Sequence, residues 1–111
     1  MPSEHLEQAT LVSWFRKAYH PEHRIFSIPN GGARSAMSGM AMKAEGLTKG
    51  VPDLFIPSLK LFIELKKVKS GMLSKEQIDW LDYLNTVGYT AVRCNGAEEA
   101  KLIILQLMLN K

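Results

Sequence analysis

The hydrophobic positions of this chain follow two different periods, which together predict four helices and four short strands. Apolar residues recur at helical spacing in four segments, and in four others they form short runs bounded by Gly, Pro or Asn. The predicted helices span residues 3–19, 35–45, 74–87 and 97–109, and the predicted strands span residues 24–28, 54–56, 61–65 and 90–94. A strand, a helix and another strand in succession imply a right-handed parallel crossover. The fold class is therefore α/β, with a mixed sheet of about four strands flanked by helices.

The helical periods also predict which side chains face the core. In the first helix the apolar stripe is formed by Leu11, Trp14, Phe15 and Ala18, and in the second by Met37, Met40, Ala41 and Ala44. Ser3 stands where it can cap the first helix, and Gly46 stands where the second should stop. A methionine stripe of this kind is typical of core filling.

The two central strands are predicted to form a hairpin that brings acidic residues together. Residues 54–56 and 61–65 are separated by a four-residue segment that begins with proline. If the middle two residues of that segment form the hairpin loop, Asp53 lies directly opposite Glu64, with Cβ atoms about 5 Å apart. Because alternate strand residues share a face, Lys66 lies on the same side of the sheet as Glu64.

Two carboxylates this close repel each other unless a cation lies between them. A hard divalent ion such as Mg²⁺ prefers one or two carboxylates together with waters and phosphate oxygens, so it suits this pair. The Lys66 ammonium would hold a water or phosphate oxygen beside the metal, where charge develops during attack on phosphorus. A Glu-x-Lys pair alone is more often part of a solvated surface hairpin. Asp53 in the matching register favours the metal site.

These residues carry a resemblance to a known family. Pro52-Asp53, followed after ten residues by Glu64-Leu65-Lys66, resembles the signature of the PD-(D/E)xK nucleases. The order of Gly-Val-Pro-Asp-Leu, Phe-Ile-Glu-Leu-Lys and Ser-Lys-Glu-Gln resembles the VRR-NUC family, especially its stand-alone viral members. The likeness covers nearly the whole chain, as a single domain of residues 1–111. It implies an endonuclease that hydrolyses phosphodiester bonds in DNA with Mg²⁺ or Mn²⁺, on branched DNA such as four-way junctions.

The resemblance also implies roles for individual residues. Asp53, Glu64, Lys66 and Gln77 would be catalytic, and the metal would be held by Glu7, Asp53, Glu64 and the backbone carbonyl of Leu65. By spacing alone, Glu7 lies in the apolar stripe of the first helix but close to its fraying end, which leaves a core-facing and a solvent-facing position equally open. The resemblance favours Glu7 over Glu4 as the third acid. One metal ion or two is left open.

Gln77 allows two interpretations. The sequence Ser-Lys-Glu-Gln is a capping-box pattern, in which Gln77 would only cap the helix that follows. The family places a glutamine here beside the catalytic lysine, which gives it a supporting role in the site. A tyrosine four residues later, found in some related nucleases, is absent because Leu81 stands there.

Basic residues surround the predicted site. Lys67, Lys69 and Lys75 follow the Glu-x-Lys pair, and basic groups around a carboxylate centre suit phosphate binding. Asn30 begins an Asn-Gly-Gly segment with Arg34 close behind, and its backbone N–H groups and the guanidinium could bind a phosphate. A glycine pair that only forms a turn is the commoner explanation for that segment. These five residues are the predicted nucleic-acid contacts.

Composition and charge agree with a polyanionic partner. The chain has 111 residues, a net charge of +3 and an isoelectric point near 9.1, which is a modest basic excess. Its one cysteine, Cys94, excludes a disulfide framework and suits a reducing compartment. No apolar run is long enough to span a bilayer. We therefore expect a cytoplasmic protein, in the host cytoplasm if it is viral.

The C-terminal helix predicts an assembly. Its apolar residues leave only a narrow polar stripe formed by Glu98, Glu99 and Gln106, and one sheet cannot cover so wide an apolar surface. The first helix of the same chain could cover the rest. Resemblance to the stand-alone viral nucleases favours a homodimer instead, whose two sites would suit symmetric cuts.

Two other functional classes stay open beside the endonuclease. One is a nucleic-acid-binding module without cleavage, and the other is a structural subunit of a viral replication or repair assembly.

Overall fold

The computed structural model describes residues 3–29, 36–69 and 71–110, and these form four α-helices and one four-stranded sheet. The helices are α1 (Glu4–Tyr19), α2 (Ala36–Ala44), α3 (Lys75–Thr86) and α4 (Ala97–Leu109), and the strands are β1 (Phe26–Ser27), β2 (Leu54–Ile56), β3 (Leu61–Lys66) and β4 (Thr90–Asn95). The predicted α/β class and mixed four-stranded sheet are confirmed. The first strand is shorter than predicted, since only two of its residues pair with β2.

The sheet has the strand order β1-β2-β3-β4. Both β1 and β3 pair antiparallel with β2, whereas β4 is parallel to β3 and is reached through α3, as the crossover predicted. In the hairpin Leu54 pairs with Ile63 and Ile56 pairs with Leu61. A 3₁₀ turn over Pro57–Leu59 connects the two strands, and Lys60 closes it in the left-handed region at φ 51°. This is the register that places Asp53 opposite Glu64.

One face of the sheet carries the hydrophobic core. The alternate residues of the hairpin point to this face and are fully buried against α1 and α4, together with Leu11, Phe15, Ala100 and Ile104. Full burial of a leucine or phenylalanine side chain stabilises the fold by about 1.5–3 kcal/mol. Ala18 was predicted to belong to this core, but it is exposed, so the buried stripe of α1 is narrower than its apolar stripe.

Helix α2 does not bury the apolar residues expected of it. Met40 is 70% exposed, and Ala41 and Ala44 are exposed too, so the core role predicted for this stripe is wrong for these residues. The Met37 side chain lies outside the described part of the chain. Helical spacing of apolar residues shows that a helix has an apolar face, but it does not show that another element lies against that face.

The capping predictions are confirmed at two helices. The Ser3 hydroxyl accepts a hydrogen bond from the Leu6 N–H at 3.1 Å, so α1 begins where the sequence indicated. At α3, Ser74 and Gln77 form both hydrogen bonds of a capping box.

No helix in the described part of the chain has the length and apolar character needed to cross a membrane.

Candidate active site

The second face of the sheet carries two carboxylates in a nearly closed environment. Asp53 lies directly before β2, and its Oδ2 accepts a hydrogen bond from the Leu65 N–H at 2.8 Å. Glu64 lies in the middle of β3 and is only 2% exposed, as the one buried charged residue in the described part of the chain. The hairpin register therefore holds two acidic side chains together on one face, one of them removed from water.

The environment of Glu64 opposes its ionisation. Burial, the charge of Asp53 and a hydrogen bond between the two carboxyls together raise the pKa of Glu64 from an ordinary value of 4.5 to about 8. Lys66 acts in the opposite direction. Among the described residues no donor reaches Glu64 Oε1, although this oxygen is buried. A buried carboxylate oxygen without a donor is unfavourable unless a proton or a cation satisfies it.

Gln77 forms the predicted capping box and also contacts Glu64, while its supporting role in catalysis stays a prediction. Its backbone N–H donates to the Ser74 hydroxyl at 3.1 Å, and its Oε1 accepts from the Ser74 N–H at 2.8 Å. Its Nε2 then donates to Glu64 Oε2 at 3.2 Å. The capping box thus holds the side-chain amide in one orientation and directs its only donor group at the buried acid.

Gly50 lets the first turn of α3 approach the hairpin. It has φ 93°, and a Cβ added there would lie 2.6 Å from Glu76 Cβ and 2.7 Å from the Glu76 carbonyl carbon. A side chain at this position would push away the turn that carries Gln77. The Gly-Val-Pro-Asp segment therefore places Asp53 at its end and leaves space for Gln77 at its start.

Lys66 lies on the same face as Glu64, as predicted from the strand alternation. Its charge lowers the pKa of Glu64, so the ammonium acts on the buried carboxyl. Gly71 has φ 107° and packs directly on its aliphatic stem, where an added Cβ would lie 3.0 Å from Lys66 Cδ. The loop after β3 thus folds back over the lysine and limits where its side chain can go.

The two acidic residues at the start of α1, Glu4 and Glu7, interact with different parts of the fold. Glu7 Oε1 accepts a hydrogen bond from the Ala97 N–H at 2.6 Å, at the first turn of α4. This is a favourable position for a carboxylate, since the N-terminus of a helix attracts negative charge. Glu4, one turn earlier, contributes to the raised pKa of Glu64. Sequence reasoning ranked Glu4 second, and no signal in the sequence showed that Glu7 would meet α4.

The donor set around Asp53 and Glu64 fits a hard divalent cation. Two carboxylates, one of them with an unsatisfied buried oxygen, are ligands that Mg²⁺ and Mn²⁺ accept. Within the described residues no three His, Cys, Asp or Glu side chains converge into a group that could hold a metal. The roles predicted for Glu7 and for the Leu65 carbonyl stay predictions. The Leu65 N–H anchors Asp53 at that same residue.

The predicted nucleic-acid contacts lie in different parts of the chain. Lys67, Lys69 and Lys75 are exposed, and the first two lie in the loop directly after β3. Asn30 and Arg34 lie outside the described residues. The three described lysines are accessible from solvent, and their contact with a nucleic acid stays a prediction.

Sequence reasoning missed Arg93, which ties the loop to the sheet. It pairs with Glu64 in the β3–β4 register, and its Nη2 donates to the Gly71 carbonyl while its Nε donates to Asn95 Oδ1 at 2.9 Å. Arg93 and Gly71, with Lys69 and others, line an open pocket of about 370 Å³. An arginine within a strand gave no sign of this role, because its partner lies 22 residues away in a loop.

The chain is an α/β protein whose central hairpin carries Asp53, Glu64 and Lys66 on one face of a mixed sheet. The family model described as the VRR-NUC domain matches residues 2–98, and the chain belongs to this family. It is similar to a solved structure described as a VRR_NUC domain protein, with a TM-score of 0.77 and 22% identity over 97% of this chain and 89% of that chain. At this identity the likeness shows the fold. No curated protein sequence matches the chain.

Proposed function

We propose that this protein is a divalent-metal-dependent endonuclease that hydrolyses phosphodiester bonds in DNA. One observation carries the proposal, the buried Glu64 whose Oε1 has no donor among the described residues and whose neighbour is a second carboxylate. Groups arranged so that their pKa values are strongly shifted are frequent at catalytic sites. Family membership adds a nuclease-like fold to the same conclusion.

Asp53 and Glu64 would hold Mg²⁺ or Mn²⁺ between them. When bound, the ion would polarise a phosphoryl oxygen and lower the pKa of a coordinated water. Gln77 would hold Glu64 in one orientation through Oε2, and Oε1 would be available as a ligand of the ion. Lys66, as an ammonium, would orient the attacking water or stabilise charge on the phosphate. The exposed Lys67, Lys69 and Lys75 would hold neighbouring phosphates.

The preference for branched DNA, including four-way junctions, rests on the resemblance to stand-alone viral members of the family. A binding module without cleavage would present basic residues in the same way. It would gain nothing, however, from a buried acid that opposes folding at neutral pH, because phosphates repel carboxylates. The paired acids therefore favour the enzyme.

The test is cleavage of labelled linear duplex and of a four-way junction with Mg²⁺, with Mn²⁺ and with EDTA. The parent protein should cleave only with metal, and Asp53→Ala should abolish cleavage while DNA binding survives. Lys66→Ala should lower the rate at least about a hundredfold. Glu22→Ala, which removes an exposed carboxylate, serves as control and should cleave like the parent. Cleavage by Asp53→Ala at the parental rate would show that the proposed site is wrong.

A further inference from the structure

Four aromatic rings lie beside the carboxylates and take no part in the chemistry proposed above. Phe26, Phe55 and Phe62 are cross-strand partners on β1, β2 and β3, and Tyr89 precedes β4. We refer to these four residues as the aromatic row. Phe55 and Phe62 stack at 4.2 Å between ring centroids, and Phe26 packs edge-on against Phe55 at 5.8 Å. Tyr89 packs edge-on against Phe62 at 5.3 Å.

The aromatic row is continuous with the candidate active site. Phe55 follows Asp53 by two residues and Phe62 precedes Glu64 by two residues, so all four side chains share one face. Two residues along a strand span about 6.6–6.8 Å. The Phe55–Phe62 pair and the Asp53–Glu64 pair are therefore neighbours on one face of the hairpin, and the distance between them is roughly that between successive nucleotides of an extended strand.

Packing alone does not account for this row. The hydrophobic core lies on the opposite face, where the hairpin residues are buried to 1% exposure or less, whereas Phe26 is 47% and Tyr89 38% exposed. Helix α3 packs on β4 and does not remove these two rings from water. Large aromatic side chains in contact with solvent next to a candidate active site are typical of a ligand-binding surface.

The charges around the row favour a nucleic acid as the ligand. Lys60 is exposed at the hairpin turn, two residues before Phe62. Its carbonyl accepts a hydrogen bond from the N–H of Thr90, the residue after Tyr89. Lys66 lies two residues beyond Glu64 on the same strand. The row itself carries no carboxylate. Aromatic rings flanked by cations are the elements with which proteins bind single-stranded nucleic acids, stacking on the bases and pairing with the phosphates.

We propose that the aromatic row is a nucleobase-stacking subsite, which binds an unpaired base of the strand whose phosphate lies at Asp53 and Glu64. This inference rests on the proposed nuclease function and adds a substrate class to it, namely strands with unpaired bases next to the scissile phosphate. A base in a continuous duplex is stacked on its neighbours and its face is not free for Phe26 or Tyr89. Ends, flaps and junction centres offer such bases.

The test measures binding of two single strands of about ten nucleotides, a length within the usual range for such sites. One carries normal bases and the other carries abasic sugars on the same phosphate backbone, both in EDTA so that no cleavage occurs. The parent should bind the normal strand about 5- to 100-fold more tightly than the abasic one, the range typical of stacking on an aromatic side chain. Tyr89→Leu and Phe26→Leu should reduce this ratio severalfold each, because leucine is apolar but has no aromatic face.

Two conservative variants and one control complete the design. Tyr89→Phe and Phe26→Trp keep a ring and should keep the parental ratio, and Val87→Ala, which changes an exposed apolar residue at the end of α3, should keep it as well. Because the readout is a ratio between two strands, a variant with a lower folded fraction loses affinity for both strands and leaves the ratio unchanged. Equal affinity of the parent for both strands, or parental ratios in both leucine variants, would overturn the proposal.

The outcomes also separate this subsite from the proposed function. Metal-dependent cleavage without discrimination between the two strands would remove the subsite and keep the nuclease. Discrimination between the strands without cleavage of any DNA by the parent would keep base stacking and overturn the nuclease. A thermal melt of each leucine variant identifies the remaining case, because unchanged ratios with lowered melting temperatures would mean that the rings serve packing only.

Discussion

The Gln77 side chain donates from Nε2 to Glu64 Oε2 at 3.2 Å while its Oε1 accepts from the Ser74 N–H at 2.8 Å. The amide therefore joins the start of α3 to the buried acid of β3. A capping residue is normally at the surface and satisfies only its own helix. Here the same residue satisfies half of a buried carboxylate, which leaves the other oxygen without a donor from the described residues.

This relationship predicts that the capping and site roles of Gln77 can be separated. Ser74→Ala removes the other half of the capping box and should lower the free energy of unfolding by about 1 kcal/mol, with cleavage nearly unchanged below the melting temperature. Gln77→Ala should destabilise α3 to a similar extent but also lower the cleavage rate at least about tenfold, because Glu64 Oε2 loses the amide that donates to it. Chemical denaturation and single-turnover cleavage measure the two effects. Equal cleavage in both variants would return Gln77 to a purely capping role.

The raised pKa of Glu64 predicts how stability depends on pH. Since the folded-state pKa is about 8 and the ordinary value is 4.5, the unfolded chain loses this proton first as the pH rises. The contribution of Glu64 should therefore be least unfavourable below about pH 4.5, become more unfavourable between 4.5 and 8, and stay constant above that. Glu64→Gln has no charge to bury, so at pH 8 and without metal its melting temperature should exceed that of the parent by at least about 4 °C.

A divalent metal ion should reverse the order of the melting temperatures of the parent and of Glu64→Gln at pH 8. A cation that binds the ionised carboxylates of the folded state stabilises it by mass action, so Mg²⁺ or Mn²⁺ should raise the melting temperature of the parent at pH 8. The same ion should leave Glu64→Gln nearly unchanged. Glu22→Gln is the matched control for an exposed carboxylate and should behave like the parent throughout. Equal metal-induced shifts in all three proteins would place the ion elsewhere.

The two acids of α1 make a fourth prediction. If Glu7 is the third acid of the metal site, as the family resemblance implies, Glu7→Gln should lower metal-dependent cleavage far more than Glu4→Gln. Both variants remove one charge, and a glutamine at position 7 can still accept the Ala97 N–H, so stability should change little in either. Metal titrations of the cleavage rate measure the difference. A larger loss in Glu4→Gln would assign the role to Glu4, whose charge already acts on Glu64.

The fifth prediction concerns the surface of α4. Helix α1 packs against α4, as the intramolecular alternative required, and Ala100 and Ile104 are buried. Leu102, Leu105 and Leu109 are nevertheless 68%, 42% and 85% exposed along one side of the helix. We predict a homodimer through this side, seen by sedimentation at micromolar concentration, with paired incisions in opposing strands of a junction.

Variants of the exposed leucines test the dimer. Leu102→Glu should give a monomer that cuts only one strand of a junction per binding event, because a charge at an apolar contact is costly to bury. Val87→Glu adds the same charge at the exposed residue that caps the C-terminus of α3 and should stay dimeric. A parent protein that is strictly monomeric and still makes paired incisions would contradict the prediction, since one site would then serve both strands.

The sequence by itself determined the fold class, the order of the elements and the hairpin register. These follow from local rules, since alternation assigns Leu54, Ile63 and Glu64 to faces, and a proline-initiated turn sets which residues are opposite. The shared face of Asp53, Glu64 and Lys66 followed from that register. Local rules failed for α2, where Met40 has a helical apolar pattern but no burial.

Only the tertiary structure decided how the elements meet, because such contacts depend on the packing of segments far apart in the chain. Glu7 reaches Ala97 across 90 residues, and the approach of α3 to Gly50 places Gln77 on Glu64. The burial of Glu64, and hence its raised pKa, exists only in the packed chain, where Gln77 of α3 also contacts it. In an unfolded chain Glu64 would be solvated and would have an ordinary pKa. In the packed chain its pKa is raised, because burial removes the water that would solvate the carboxylate and places it beside Asp53.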